Sequence, residues 1–508
     1  MAQQHLDRLT STDASFLHQE GSCSHMHIGG VLLFDGPAPR FETVLNHIRR
    51  RLHLVPRYRQ KLATPPLDSG RPLWVDDPNF NLEYHVRNTA LPAPGSERQL
   101  LELVGRLASQ RLDRTKPLWE LWLVEGIEPV EDGGLERFAL ISKAHHALVD
   151  GVAGVDLAAV LLDFSPTAAP PSTEGLLPWV ASPEPSALQL AAAGARGAVR
   201  SSAELAVQGL RALARPTRTG ARLRDATEGL GELLWAALNP APRTPLNVPI
   251  GPHRRFVLVR QQLADYRAVK NRFHTTVNDV VLAVVAGALG RWLRSRGVAT
   301  DGVEMRALVP VSVRSEEEHG TLGNRLVALR GPLPVYIRDP VMRLSAVSAE
   351  MNALKRSKQA VGAATLVALN ERLPPTVLAQ ASRIQFSTRL FNLLVTNIPG
   401  PQVPLYLMGS ELRDMFPLAF LPDNNALAVA IMSYNGRIEY GLLGDLDALP
   451  DIEVLARGIE QSLAELMAVT QRQPAGATPS AQRRGGPGSE MRATRQRGRG
   501  TSGRGTSD

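Results

Sequence analysis

From Ser165, the stretch "SPTAAPPSTEGLLPWVASPEPS" interrupts the chain and leaves a patterned segment on either side. No other feature restricts the fold as much. A run so rich in Pro and Ser makes turns and loops rather than buried elements. It is followed from Ala187 by "ALQLAAAGARGAVRSSAELAVQGLRALAR", Ala-rich, with Leu and Val at helical spacings and arginines between them. That pattern suits either a helix pair bridging two domains or a basic amphipathic surface lying on a membrane. Patterned sequence resumes near "TPLNVPIGPHRRFVLV" and continues to about Val469. At 508 residues the chain exceeds one ordinary core, so the interruption reads as a domain boundary. The expected organisation is an N-terminal domain over 1–164, a Pro/Ala-rich crossover over 165–245, a C-terminal domain over 246–470 and a disordered Arg/Gly-rich tail over 471–508.

Strand and helix patterns alternate in both segments, which predicts an α/β fold. "RFALISKAHH" is a short apolar run ending in polar residues, as expected of a buried strand that delivers its C-terminal end to a cleft. "GVDLAAVLLDF" after it has apolar residues three and four apart, as a helix does. "TTVNDVVLAVVAGALGRWLRSRG" predicts a helix with Thr275, Thr276 or Asn278 as its cap and a largely buried face. "LFNLLVTNIPGP" predicts a buried strand stopped by Pro399, Gly400 and Pro401.

Charge and composition exclude several functions. The net charge of +8 suggests an acidic partner, but the residues from Gln473 onward hold seven arginines and two acids. That tail carries +5 and leaves +3 for everything else. "RQRGRGTSGRG" lacks interleaved aromatic residues on which bases would stack, so no nucleic-acid partner is expected. The single cysteine, Cys23, excludes an intrachain disulfide framework and fits a reducing cytoplasm. With no evident basic neighbour or helix N-terminus, Cys23 is not expected to act as a nucleophile. The N-terminus lacks the pattern of a secretory signal. The apolar run "VVLAVVAGALG" is far shorter than the ~20 residues of a membrane helix, so a soluble or peripheral protein is expected.

"KAHHALVDG", residues 143 to 151, sits at the expected strand-to-helix connection. Adjacent side chains on an extended chain point to opposite faces, so His145 and His146 cannot easily share a metal ion. "HMH" puts His25 and His27 on one face if it is a strand, but no carboxylate or histidine cluster completes a site, and no metal is expected. Two readings remain open. One is a pair of core histidines. The other is a general base, since an imidazole accepts a proton at neutral pH, with Asp150 fixing the turn and Gly151 permitting it.

These residues resemble a known family. HHxxxDG, matched by His145, His146, Asp150 and Gly151, is the signature of the CoA-dependent acyltransferase superfamily, which includes chloramphenicol acetyltransferase and condensation domains. "LTSTDASFL" from Leu9, "LDRTKPLWELWLVEG" from Leu112, "PLNVPIGPHRRF", "VNDVVLA", "RALVPVSVR", "GNRL", "TNIPGP" and "SYNG" resemble, in order, the blocks of one branch. That branch is the bacterial wax ester synthase/diacylglycerol acyltransferases. The departures are "TNIPGP", where a serine often precedes the Asn, and the long tail.

The resemblance implies two chloramphenicol-acetyltransferase-like α/β sandwich domains around a central tunnel. It implies His146 as general base, with Asp150 as structural support pairing with an arginine. Asn278 and Asp279 would orient the site or the developing oxyanion, although Asn278 serves equally well as a helix cap. Pro117, Leu118 and Trp119 would form the tunnel's apolar wall or simply pack. Long-chain acyl-CoA is the implied co-substrate, with no further cofactor. Diacylglycerol or a long-chain alcohol is the acceptor, met at a membrane or lipid-inclusion surface from the cytoplasm. Acyl transfer from a carrier protein, or a catalytically silent lipid-binding protein of the same fold, are the alternatives.

Overall fold

The computed structural model describes residues 7–66, 70–130, 134–149, 160–168, 178–194, 239–312, 326–356 and 390–472. The chain divides into two units, Met1–Thr470 and Gln471–Asp508, and the sheets belong to the first. Asp150, Gly151, most of the helix expected after them, residues 169–177 and 195–238 of the crossover and the tail from 473 lie outside the described residues.

Two six-stranded sheets form the frame. The strands of the described residues are, in chain order, β1 (Asp7–Arg8), β2 (His27–Asp35), β3 (Gln60–Ala63), β4 (Leu73–Asp76), β5 (Val86–Ala90), β6 (Trp119–Ile127), β7 (Arg137–His145), β8 (Arg254–Gln262), β9 (Glu304–Ser312), β10 (Leu326–Pro334), β11 (Leu393–Pro399), β12 (Tyr406–Leu407), β13 (Ser410–Leu418), β14 (Leu427–Tyr434) and β15 (Arg437–Asp445). One sheet runs β12-β13-β2-β7-β6-β5 and the other β10-β9-β11-β14-β15-β8, while β1, β4 and β3 make a small third sheet. Most pairs are antiparallel; β5–β6, β9–β11 and β11–β14 are parallel. The helices are α1 (Ser11–Gln19), α2 (Phe41–Arg49), α3 (Leu82–His85), α4 (Glu97–Ser109), α5 (Leu263–Phe273), α6 (Val277–Ser295), α7 (Pro340–Arg356) and α8 (Ile452–Gln471). This is the α/β, two-sheet architecture expected from the alternating patterns.

The C-terminal segment does not keep its strands to one sheet. β12 and β13 leave it and join the N-terminal sheet, with β13 antiparallel to β2 and Phe416 opposite Val31. One continuous apolar core accordingly holds Phe16, Val31 and Ile141 together with Val280, Phe416 and Leu442. α4 lies against β8, where Gly105 lets the helix approach until an added Cβ would stand 2.7 Å from the Arg254 carbonyl. Ser109 Oγ accepts the Arg254 N–H at 2.9 Å in the same contact.

α6 shows how burial overrides propensity. It contains Val277, Val280, Val281, Val284 and Val285, whose β-branched side chains each cost up to ~0.7 kcal/mol of helix propensity. Full burial of a valine returns roughly 1.5–3 kcal/mol, and the last four are buried. The helix starts at Thr276, whose hydroxyl accepts the Asp279 N–H at 3.1 Å, while Asp279 Oδ2 accepts the Thr276 N–H at 2.9 Å. Thr276 is therefore the cap, and Asn278 stands inside the first turn. No single described helix is long and apolar enough to cross a membrane.

Candidate active site

β7 ends at His145, opposite His27 of β2. The chain then turns. The main-chain N–H of His145 donates to Leu118 O and that of His146 to Met26 O, both at 2.9 Å. Met26 holds φ +48°, a left-handed conformation uncommon outside glycine. Its carbonyl is the acceptor that fixes the backbone of His146. This also corrects the reading of "HMH" as a strand: β2 begins only at His27, so His25 does not share a strand face with it. His25 Nε2 instead bonds the Ser22 carbonyl at 3.0 Å. Among the described residues, no group of three or more His, Cys, Asp or Glu side chains is placed to hold a metal ion.

The two histidines have different surroundings. His145 Nδ1 accepts the Ala147 N–H at 3.0 Å, so that nitrogen is committed to the turn. With Nδ1 as acceptor, the proton of a neutral ring sits on Nε2, which faces the buried Glu20 carboxylate at 3.7 Å. Burial, then the positive charge of Arg114, depresses the His145 pKa to about 3.

His146 lies in an aromatic corner. The Phe16 ring of α1 stacks on it, centroids 3.9 Å apart and planes 16° from parallel. Phe420, just beyond β13, meets it edge-on at 5.8 Å. Nδ1 is sealed, while the residue as a whole keeps partial exposure. Nδ1 has no hydrogen-bond partner among the described residues. Burial lowers its pKa to about 4. A ring with this environment is neutral at pH 7 and has an unprotonated nitrogen able to take a proton.

Asn278 and Asp279 make no hydrogen bond or ion pair with either histidine among the described residues. Asn278 Oδ1 accepts from Asn397 Nδ2 at 3.4 Å, which joins "VNDVVLA" to "TNIPGP". Asp279 is buried, caps α6 and accepts from Ser348 Oγ at 3.3 Å. Leu118 and Trp119 are buried in a second core cluster that excludes Phe16 and Phe420. Trp119 Nε1 donates to the Tyr58 carbonyl at 2.8 Å and its ring stacks on His85 at 4.8 Å. Pro117 and Trp119 also edge a cleft of about 180 Å³ with Tyr84, Arg87 and Arg111.

Reading the sequence missed Phe16, Glu20 and Phe420. Phe16 stood inside the quoted block "LTSTDASFL", and Glu20 three residues beyond it. Nothing local pairs Phe420 with residues 400 positions earlier.

Similarity to known proteins follows this geometry from the general to the particular. A starter condensation domain of rhizomide synthetase RzmA superposes with a TM-score of 0.53 and 14% identity, covering 92% of this chain and 94% of that one. TRI3 trichothecene 15-O-acetyltransferase from Fusarium sporotrichioides gives 0.55 and 13%, covering 91% and 94%. The chain thus has the two-domain fold of the condensation-domain and acetyltransferase group. Within that group, the wax ester synthase/diacylglycerol acyltransferase catalytic domain matches residues 9–281, and the C-terminal domain of the same family matches 322–467. A wax ester synthase/diacylglycerol acyltransferase from Marinobacter aquaeolei VT8 superposes with a TM-score of 0.64 and 28% identity over 92% of this chain and all of that one. A probable diacylglycerol O-acyltransferase of Mycobacterium tuberculosis, tgs1, is 35% identical over 472 residues, 92% of this chain and 97% of the relative. The chain belongs to the wax ester synthase/diacylglycerol acyltransferase family.

Proposed function

We propose that the chain transfers a long-chain acyl group from acyl-CoA to the free hydroxyl of diacylglycerol, giving triacylglycerol, and that it accepts long-chain alcohols as a second acceptor class. The observation that carries this reading is the neutral His146 imidazole held at the end of β7 by the Met26 carbonyl and the Phe16 ring. His146 removes the hydroxyl proton as the oxygen attacks the thioester carbonyl. The tetrahedral intermediate collapses, the C–S bond breaks, and the imidazolium returns the proton to the CoA thiolate. No covalent enzyme intermediate is needed, because the thioester is already activated. Burial makes the free imidazole a weak base, and the negative charge developing beside it in the transition state favours its protonated form.

Asn278 orients the reacting groups, and Asp279 fixes the turn that presents it. Asp150 supports the motif loop, and Pro117, Leu118 and Trp119 shape an apolar wall of the tunnel. Purified protein supplied with labelled palmitoyl-CoA and diacylglycerol should release CoA thiol and form labelled triacylglycerol in equal amounts. Thiol release without an ester product would leave a thioesterase and reject the reading.

Both acceptors reside in membranes, so the protein works at a lipid surface from the cytoplasmic side. Residues 187–194 are helical, and Val180 and Leu188 are about four-fifths exposed (81% and 79%), with Trp179 beside them. These apolar side chains, with the Arg-bearing sequence that continues to Arg215, make the contact. Flotation with anionic liposomes should persist when the residues after Gln473 are deleted. Loss of all binding on that deletion would move the contact to the tail.

A further inference from the structure

The carboxylate of Glu20, the residue that ends α1, is only 1% exposed, and burying a charge needs a reason. Its oxygens are taken by two cations from one loop. Arg111 Nε donates to Oε1 at 3.0 Å and Arg114 Nε to Oε2 at 2.6 Å. Arg114 also donates through Nη2 to the Leu17 carbonyl at 2.9 Å, satisfying an end group of α1 that the helix itself leaves open. The third neighbour is His145, whose Nε2 is 3.7 Å away, too far for a hydrogen bond, and makes none among the described residues.

Two routes lead from this carboxylate to the base. The Glu20 N–H donates to the Phe16 carbonyl at 3.1 Å, so the group that pins Glu20 also sets where Phe16 sits, and Phe16 lies face-on to His146. The other route runs through His145, whose Nδ1 holds the Ala147 N–H and with it the turn containing His146.

We infer that Glu20, clamped by Arg111 and Arg114, is a positioning residue that seats α1 and the histidine turn so that His146 is held against Phe16. This rests on the acyl-transfer reading with His146 as base. Glu20 touches neither substrate nor the reacting atoms. It acts by removing the freedom of the ring that does, and an imidazole displaced by 1 Å is a much poorer base for a fixed hydroxyl.

The test uses the full-length protein and the isosteric Glu20→Gln, which leaves two arginines without their anion, beside Arg111→Gln, which weakens the clamp and keeps Glu20. Glu20→Gln should lower kcat about tenfold or more while KM for palmitoyl-CoA changes less than twofold, and Arg111→Gln should lower kcat by less. A second readout needs no substrate. In protein labelled with [13Cε1]histidine, the resonance lost in His146→Ala reports His146. Its pKa should rise from about 4 toward the ordinary histidine value in Glu20→Gln, because a loosened Phe16 stack admits water. If Glu20→Gln is unstable, Arg111→Gln carries the same two readouts. A folded Glu20→Gln or Arg111→Gln with unchanged kcat and an unchanged His146 titration overturns the inference. A wild-type protein with no acyl transfer fails the functional reading instead, and the titration still decides the clamp.

Discussion

His146→Ala should be a folded protein whose kcat is lowered by about 10²–10⁴, the contribution of a positioned general base, with the KM for acyl-CoA little changed. Removing the ring opens space between Phe16 and Phe420 but leaves the Met26–His146 backbone bond in place, since that bond uses only main-chain atoms. His145→Ala should show the opposite balance. It deletes the acceptor of the Ala147 N–H and leaves a buried donor unpaired at a cost of about 1–3 kcal/mol. Its melting temperature should therefore fall more than that of His146→Ala, and its kcat less. Thiol release from palmitoyl-CoA and thermal melts on both variants separate the two roles. A dead, well-folded His145→Ala beside an active His146→Ala would exchange the assignments.

The second large effect is expected where the two sheets meet. Asp414 of β13 accepts from Arg260 of β8 at 3.1 Å and from Arg437 of β15, with Arg137 of β7 at 3.6 Å. Beside it lies the fully buried Glu439 of β15, which accepts the Met415 N–H and has one carboxyl oxygen unpartnered. Burial, and then the charge of Asp414, lift the Glu439 pKa to about 8. Asp414→Ala removes the carboxylate of Arg437, although Arg260 keeps Glu97, and should cost about 3–5 kcal/mol, read as a lowered melting temperature.

Glu439 makes stability depend on pH with a definite sign. Between about pH 4.5 and about 8 the native state keeps a proton that the unfolded chain has lost, so stability falls as pH rises through that window. The histidines act on the acid side. His146, at about 4, and His145, at about 3, stay neutral when folded but bind protons when unfolded below the ordinary histidine pKa. Their contribution is therefore present at neutral pH and lost as pH falls from about 6.5 toward those values. The melting temperature should peak between pH 5 and 7. Glu439→Gln should flatten the alkaline decline and exceed wild type at pH 8.5, with no advantage at pH 5. Parallel declines in the two proteins would remove Glu439 from the account.

Local pattern was enough for the elements that carry the candidate site. A run of apolar residues ending in "KAHH" specifies a buried strand with polar groups at its exit, and β7 is that strand. A capping threonine before the apolar run "VVLAVVAGALG" specifies α6, and of the three candidate caps Thr276 is the one used. The different surroundings of the two imidazoles arise where the chain leaves β7 and turns, since His146 lies beyond the strand. The partners of those elements were not legible. An alternating strand such as β13 advertises one face to bury and says nothing of which sheet offers the complementary face, so its pairing with β2 across nearly 400 residues is a tertiary choice. The same choice brings Phe420 to His146, and the packing of α1 brings Phe16 and Glu20. These contacts turn an ordinary histidine into a largely desolvated, neutral one, because desolvation depends on what the folded chain places around a ring and not on the ring's own neighbours in sequence.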